Sequence, residues 1–424
     1  MRRLFAFAPG VLLAAMTAVP AIADESPSYS VSDQTQARPV SYYGDEAQAP
    51  VQKDEACPCE EEDACDACEE CEACEPFDLG DHLFCPDSGW DISGWTQFGY
   101  HSANDGVFNT HPGNVDLQQG YLYIEKIADG SNGLGFGGRV DVLYGTDGPN
   151  TQSFGNNPGT WDFQNGLDHG IYGWALPQAY GEVAYEDVSV KLGHFYTLLG
   201  YQVVPATGNF FYSIPYTFNF SEAFTHTGAL ATYTGVENLT VYGGWTLGWD
   251  TGFDQINQGN SFLGGFSYTF NDELTTTYIC TAGNLGWIGN GYTHSFVADW
   301  TINDCWEYVF QSDLNTIDNS PNAGGGHYDT IGVNQYLFYT INDKIRAGGR
   351  LEWWKADGIS VNEAALGLNV SPMNNVLIRP EVRYNWVPGG NLPSVIPVAA
   401  AQNSTTANDY LNNTIFGVDV ILTF

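Results

Sequence analysis

The sequence predicts an all-β fold: a transmembrane antiparallel β-barrel of about 16 strands that follows a disordered N-terminal leader. Aromatic residues make up 14% of the 424-residue chain, charged residues only 15%, and the chain holds 49 glycines. Short segments alternate between apolar and polar residues, and the connections between them alternate between short and long. No stretch after residue 23 approaches the roughly 18 apolar residues of a membrane-spanning helix, so a membrane would be crossed by strands.

The N-terminus has the features of a secretory signal peptide over residues 1–23. Arg2 and Arg3 form a basic start, residues 4–19 form an apolar run, and the small residues 21–23 precede the expected cleavage point. A short buried helix is the alternative interpretation of the same segment. Export through such a signal is consistent with the outer membrane as the expected location.

Residues 24–92 are predicted to form a polar, acidic and cysteine-rich periplasmic leader. Its cysteines are Cys57, Cys59, Cys65, Cys68, Cys71, Cys74 and Cys85. Disulfides are the usual state of cysteines in an oxidising periplasm, and an odd number leaves one for a covalent bond to another envelope component. The alternatives are an unpaired acidic spacer and a metal site, since cysteines separated by two residues occur in zinc sites. The spacing departs from an iron–sulfur pattern, and no cofactor is predicted.

The predicted barrel occupies residues 93–424. In residues 239–249 the apolar side chains recur at every second position, as in a half-buried strand. Strands are expected to begin near residues 93, 118, 134, 177, 188, 225, 239, 261, 274, 293, 305, 328, 345, 361, 376 and 410. Cys280 and Cys305 fall on these predicted strands and are assigned no role. Tight turns alternating with long loops are typical of outer-membrane barrels, and an even number of strands places both chain ends in the periplasm.

The last predicted strand has the features of an assembly signal. Every second residue from Phe416 to Phe424 is apolar, and the terminal aromatic residue Phe424 matches the signal that the outer-membrane assembly machinery reads. That machinery and the outer-membrane lipid are therefore expected partners. The alternative is an edge strand of a soluble sheet, although its exposed apolar face would favour aggregation.

Charged residues fall on the strand phase opposite to the apolar one, which predicts that they face the lumen. The predicted pore-lining residues are Arg346, Arg350, Glu352, Glu363, Arg379, Glu381, Arg383, Arg139, Asp141 and Lys191. Because it is costly to bury so many ionisable groups in a dry interior, they predict a solvated channel. The alternative is that these charges brace the wall through salt bridges.

Two long loops are candidates for narrowing this channel, at about residues 145–176 and 196–224. Both are rich in aromatic residues, which would form a large apolar patch if they were exposed. We expect these aromatic residues to fold inward or to pack on a neighbour. The hypothesis is that the second loop forms the constriction.

The residues around the second loop carry a family resemblance. The chain resembles the OmpL-like family of outer-membrane β-barrel porins in the short segments Lys191–Phe195, Asn209–Ser213, Phe218–Phe220 and Phe224–Gly228. The resemblance covers about residues 93–424 and implies a porin-like barrel. It supplies no substrate and no catalytic residues, and the cysteine-rich leader is outside the family pattern.

The favoured function is passive diffusion of ions or small hydrophilic solutes. A structural outer-membrane anchor, tethered to the envelope by its leader, is the alternative. A barrel enzyme is less favoured, because the eight histidines are scattered and none lies in a recognisable nucleophile motif. A net charge of −37 excludes nucleic acid as a partner. The sequence leaves oligomeric state and ion selectivity open, since an acidic excess favours cations and the arginines favour anions.

Overall fold

The computed structural model describes residues 79–84, 88–321, 324–389, 393 and 412–424. The predicted signal peptide, most of the predicted leader and all seven leader cysteines lie outside these residues, so the expectations for them stay predictions. In these described ranges, no helix combines the length and the hydropathy needed to cross a membrane.

Sixteen strands make up the described part of the fold, which confirms the predicted number. They are β1 (Trp90–His101), β2 (Val115–Lys126), β3 (Gly135–Gly145), β4 (Gly173–Tyr185), β5 (Val188–Tyr196), β6 (Thr225–Val236), β7 (Leu239–Thr246), β8 (Asn260–Asn271), β9 (Leu274–Asn284), β10 (Asn290–Thr301), β11 (Trp306–Ser320), β12 (Gly326–Asn342), β13 (Ile345–Ala356), β14 (Ile359–Met373), β15 (Val376–Trp386) and β16 (Asn413–Thr423). The short helices are α1 (Leu79–Leu83), α2 (Gly148–Thr151) and α3 (Tyr216–Ser221). The predicted strand starts deviate by a few residues, as at β1 and β16.

Each strand pairs antiparallel with its neighbours in sequence, and β1 pairs with β16 to close the barrel. The C-terminal residue takes part in this closure. The Phe424 amide donates to the Gly94 carbonyl at 3.0 Å, and the Gly94 amide donates to the Phe424 carbonyl at 2.9 Å. A Cβ on Gly94 would lie 2.9 Å from the Phe424 ring, so glycine lets the ring lie against the backbone. Closure satisfies the backbone groups that an open sheet edge would expose to lipid.

The outer face of the barrel is apolar, and the phase of β16 is as predicted. Phe416 is 60% exposed on the outside, whereas Asp419 and Ile421 on the opposite face are buried. Other large exposed residues on the outer face include Leu351 and Leu366. A surface with this much exposed apolar area is suited to lipid and not to water.

The two ends of the barrel differ in their connections. At the end where β1 begins, called here the short-turn end, strands are joined by tight turns such as 186–187, 272–273 and 343–344. At the opposite, long-loop end the connections include 146–172, 197–224 and 247–259. The predicted exception near 357–360 is a two-residue hairpin, in which Asp357 and Gly358 both have positive φ angles of 47° and 88°.

One sequence-based assignment is wrong. Cys305 lies in the turn between β10 and β11 at the short-turn end and not on a strand, because β11 begins at Trp306. Its amide donates to the Asn303 side chain at 3.0 Å, which fixes the turn. Cys305 is disulfide-bonded. Cys280 lies on β9, as predicted, and is a free thiol.

Candidate transport site

The connection between β5 and β6, residues 197–224, folds into the barrel and is called here the inward loop. Almost all of its residues are buried, and Gly208 is the exposed one. Its aromatic residues Phe210, Phe211 and Phe218 are buried among inward-facing side chains of the wall. This confirms the expectation that the aromatic residues of the second long loop fold inward.

Three buried arginines of β13 and β15 hold the loop by its backbone. Their guanidinium Nη1 atoms donate to loop carbonyls. These bonds run from Arg350 to Ser213 (2.8 Å), from Arg379 to Ala206 (2.8 Å) and Asn209 (2.6 Å), and from Arg383 to Ile214 (2.7 Å). Hydrogen bonds with a charged donor are stronger than neutral ones, so the guanidinium groups fix the path of the loop.

Acidic residues of the same wall, together with Asp105 from the connection between β1 and β2, complete this arrangement in two ways. Some neutralise the arginines: Arg350 pairs with Glu363 at 3.0 Å, Arg379 with Asp419 at 2.5 Å, and Arg383 with Asp105 at 3.7 Å. Others accept directly from the loop. Glu352 accepts from the amides of Tyr216 (2.8 Å) and Thr217 (2.6 Å), and Glu381 accepts from the amide and the hydroxyl of Ser213. We call the charged surface formed by β13–β16 the arginine wall.

Glycines on the arginine wall provide the space in which the loop lies. A Cβ on Gly348 would lie 2.5 Å from the Phe210 ring, and one on Gly417 would lie 2.9 Å from the Tyr212 ring. On the adjacent strand β12, a Cβ on Gly332 would likewise collide with the Thr217 side chain. Any larger side chain would collide with the loop, so these glycines are needed for the close approach.

On the other side of the lumen, both ends of the loop are attached to β10 and β11, and this contact is called here the carboxyl anchor. The Gln311 amide donates to Glu222 of the loop at 2.7 Å and to Asp313 of the wall at 2.6 Å. The Gly200 amide donates to Ser295 at 3.1 Å. Burial, followed by the nearby Asp313, raises the pKa of Glu222 well above the usual range of a carboxyl group.

The predicted pore-lining residues face inward, but they differ in their access to water. Six of them are buried against the inward loop or its arginine partners: Arg350, Glu352, Glu363, Arg379, Glu381 and Arg383. The expectation that water solvates these groups is wrong, because the loop supplies the hydrogen bonds that water would make. Whether they line the route of a solute stays a prediction.

The other four predicted residues belong to other ion pairs and ring contacts, although Arg346 also lies over the Phe210 ring of the inward loop. Arg139 is buried between Asp141 at 2.7 Å and Glu125 at 3.1 Å, which is an ion-pair cluster within β2 and β3. Arg346 is 31% exposed and pairs with Glu307 at 2.7 Å. Lys191 is partly exposed and lies over the Tyr180 ring. Arg346 and Lys191 are therefore the predicted basic residues that retain access to the lumen.

Neutral residues also position the loop, and the sequence reasoning did not identify them. The Gln119 side chain donates to the Val204 carbonyl at 2.8 Å and accepts from the Ala206 amide at 3.0 Å. Gln97 donates to Asp419 at 2.7 Å. Both glutamines lie on the inward-facing phase of β1 and β2, and this position would have identified them. The prediction of pore-lining residues considered charged side chains, and these amides are uncharged.

At the short-turn end, hydroxyl groups cover the inner wall formed by β8 and β9, whereas further along these strands Leu263 and Ile279 are buried in a hydrophobic cluster with Leu199 of the inward loop. Ser267 contacts Thr277 at 2.9 Å, and Thr269 contacts Thr275 at 3.1 Å. These four side chains are partly exposed and alternate with the outward-facing aromatic residues of the same strands. This part of the lumen therefore has a polar, uncharged and water-accessible surface at the short-turn end.

A closed sixteen-stranded barrel with an apolar exterior, charged residues inside and a loop in its lumen defines the class of outer-membrane porins. The chain belongs to the family described as "Putative beta-barrel porin-2, OmpL-like", whose model matches residues 89–424. It is an outer-membrane porin that allows passive diffusion of ions or small hydrophilic solutes. No curated protein matches the chain.

Solved structures share the fold at low sequence identity. The outer membrane channel DcaP of Acinetobacter baumannii has 10% identity and a TM-score of 0.53, covering 80% of this chain and 99% of that one. OmpT of Vibrio cholerae, in its trimer form, has 12% identity and a TM-score of 0.51, covering 79% and 99%. A mutant of the Rh. blastica porin has 15% identity and a TM-score of 0.51, covering 79% and 100%. These similarities concern the fold.

Proposed function

We propose that the inward loop is the constriction of this porin and that solutes reach it along the hydroxyl-lined surface of β8 and β9 at the short-turn end. The single observation that carries the proposal is the position of the loop, which is buried in the lumen and attached to the arginine wall on one side and to the carboxyl anchor on the other. A loop held at both sides reduces the open cross-section and limits the size of the solute.

Deletion of residues 205–220 tests this constriction. We expect single-channel conductance of the refolded protein in a planar bilayer to increase severalfold. Conductance equal to that of the unaltered protein would contradict the proposal. As a smaller perturbation, Glu381→Gln weakens the contact with Ser213 and keeps the loop length, and we expect it to increase current fluctuations. Glu237→Gln, at an exposed turn residue, is the matched control.

The passage is proposed to favour cations. The three buried arginines are paired with Glu363, Asp419 and Asp105, so they contribute little positive potential to the lumen. The acidic excess of the chain then determines the sign of the field. A reversal potential measured under a KCl gradient tests this, and a preference for chloride would contradict it.

A structural anchor is the second candidate function, and two observations favour it. The inward loop fills much of the lumen, and Cys305 forms a disulfide at the short-turn end, where β1 also begins. Under this proposal the cysteines of the leader tether the barrel to other envelope components. A folded barrel that shows no conductance steps, with or without residues 205–220, would favour the anchor over the porin proposal. Non-reducing peptide mapping would identify the partner of Cys305.

We further propose that the chain has no enzymatic role. One serine–histidine contact exists at the long-loop end, where Ser153 Oγ lies 3.3 Å from His194 Nε2. Both residues are fully buried, and His194 Nδ1 faces the Thr227 hydroxyl at 2.7 Å instead of a carboxylate. A buried pair without an orienting carboxylate does not form a hydrolytic triad. Ser153→Ala should leave hydrolysis of a generic ester at background.

The remaining proposals concern processing and assembly. Residues 1–23 are proposed to be cleaved as a signal peptide, which N-terminal sequencing of the mature protein tests. The chain is also proposed to form an oligomer, since OmpT of Vibrio cholerae, which shares the fold, is described in a trimer form. The mass of the protein–detergent complex distinguishes a monomer from a trimer.

A further inference from the structure

A small cavity lies between the inward loop and the wall near β1 and β2. Its polar lining includes Gln97, Gln119, Asp147, Asn209, Tyr212 and Arg379. Phe108 and Phe211 complete it with apolar surface. The cavity has room for a species of about the size of a water molecule. It is separate from the hydroxyl-lined surface of β8 and β9.

The Tyr212 hydroxyl of the lining has no hydrogen-bond partner in the described part of the chain, and neither have two acceptor oxygens, Asp147 Oδ1 and Gln97 Oε1. The Asp147 and Gln97 side chains are at least nine-tenths buried. The other polar atom of each of these two side chains is occupied. Asp147 Oδ2 accepts from Gln119 at 2.9 Å, and Gln97 Nε2 donates to Asp419 at 2.7 Å. Asp147 Oδ1 and Gln97 Oε1 are therefore fixed as acceptors, and the Tyr212 hydroxyl has one hydrogen to donate, so at least one acceptor needs a further donor or a cation.

The charges around the cavity do not cancel. Arg379 pairs with Asp419, and Arg383 pairs with Asp105, so these four charges compensate each other. The hydrogen-bond partner of Asp147 is the neutral amide of Gln119. Burial raises the pKa of Asp147 to about 7. A buried carboxylate with a neutral partner is costly, and a positive charge in the cavity removes that cost.

We propose that this cavity binds one small monovalent cation, Na⁺ or K⁺, with Asp147 Oδ1 and Gln97 Oε1 among its oxygen ligands. Carboxylate and amide oxygens suit a hard cation. A single carboxylate in a small cavity matches a single positive charge, whereas Mg²⁺ usually retains several water molecules. The cation links Asp147, just after β3, with Gln97 of β1 beside the inward loop, so its binding stabilises the attachment of the loop.

Thermal unfolding of the full-length protein in detergent tests the site at constant ionic strength. We expect NaCl or KCl to raise the midpoint by a few degrees over choline chloride, with saturation as the cation concentration increases. The shift should be larger above pH 7 than below it, because a proton competes for Asp147. Equal midpoints in all three salts would overturn the proposal and would identify a proton or a water molecule as the occupant.

The variant Asp147→Asn should abolish the difference between the salts, since it removes the charge and keeps the shape. Asp254→Asn, at an exposed residue of the long-loop end, is the matched control and should retain the full shift. Retention of the shift in Asp147→Asn would contradict the site. If that variant does not fold, crystals of the unaltered protein grown with RbCl provide the second measurement. An anomalous peak between Asp147 and Gln97 is expected, and its absence would overturn the proposal.

Discussion

The inward loop is attached to the barrel in two chemically different ways. At the arginine wall, each of the three buried guanidinium groups has an acidic partner and donates to at least one loop carbonyl, and Arg383 Nη2 has no hydrogen-bond partner among the described residues. At the carboxyl anchor, Glu222 and Asp313 share one neutral donor, Gln311. Each of these two carboxyl groups also has an oxygen without a hydrogen-bond partner among the described residues.

This difference shows that the attachment of a loop by buried ionisable groups depends on whether those groups change their protonation with pH. The guanidinium groups keep their charge at every pH at which the protein is folded, whereas burial raises the pKa of Asp105, the partner of Arg383, to about 7. Two neighbouring carboxyl groups without a cationic partner are compatible with burial when they share a proton. We therefore expect the carboxyl anchor to respond to pH, and at the arginine wall we expect a response at the pair of Arg383 and Asp105.

The largest expected effect comes from breaking one ion pair of the arginine wall. Arg350→Met leaves the Glu363 carboxylate buried without its partner and removes the bonds to Ser213. The loss of one partner from a buried ion pair costs about 3–5 kcal/mol of the free energy of unfolding. Urea titration of the protein folded in detergent, followed by tryptophan fluorescence, measures this loss.

Replacement of both partners is the control for Arg350→Met. The double variant Arg350→Met with Glu363→Leu removes the unpaired charge, so it should be less destabilised than the single variant. If both variants unfold at the same urea concentration, the isolated carboxylate is not the cause of the instability.

The second prediction concerns the pH response of the carboxyl anchor. Burial and Asp313 raise the pKa of Glu222 in the folded state, so the folded protein binds more protons than the unfolded one above the ordinary carboxyl pKa. Stability therefore falls as pH rises from that value towards the raised pKa, by up to about 1.4 kcal/mol per pH unit for one group. The slope of unfolding free energy against pH measures it.

Glu222→Gln distinguishes this anchor from the other carboxyl groups of the chain. The amide cannot lose a proton over this pH range. The slope of unfolding free energy against pH should therefore decrease by the contribution of about one proton. Glu237→Gln, at an exposed turn, should leave the slope unchanged. A full slope in Glu222→Gln would assign the pH response to another group.

The third prediction concerns the glycines of the arginine wall. Gly417→Val places a side chain where the Tyr212 ring lies, because a Cβ there already falls 2.9 Å from the ring. Overpacking of this kind costs about 1–3 kcal/mol, and displacement of the loop should also change conductance. Gly243→Val is the control, since a Cβ at Gly243 has open space around it. Equal effects of the two substitutions would mean that the loop does not depend on this space.

The sequence predicts the barrel well because strand phase and connection length are local properties. The alternation from Phe416 to Phe424 and the tight turns between strands each depend on neighbouring residues, and the strand number followed from them. The inward positions of Arg350 and Arg379 followed in the same way. Their burial did not, because it depends on Ser213 and Ala206, which lie more than a hundred positions away in the chain. The same long-range contacts explain why Gln119 was missed.

The smallest stability change is expected where a charge pair lies next to water. Arg346 and Glu307 are 31% and 28% exposed, so the pair contributes about 0–1 kcal/mol, and Arg346→Met should leave the free energy of unfolding nearly unchanged. Removal of the positive charge should nevertheless shift the reversal potential towards stronger cation selectivity, because Arg346 retains access to the lumen and Arg350 does not. Glu307→Gln should shift it in the opposite direction. Shifts of the same sign in both variants would mean that a change in loop position, and not charge, determines the selectivity.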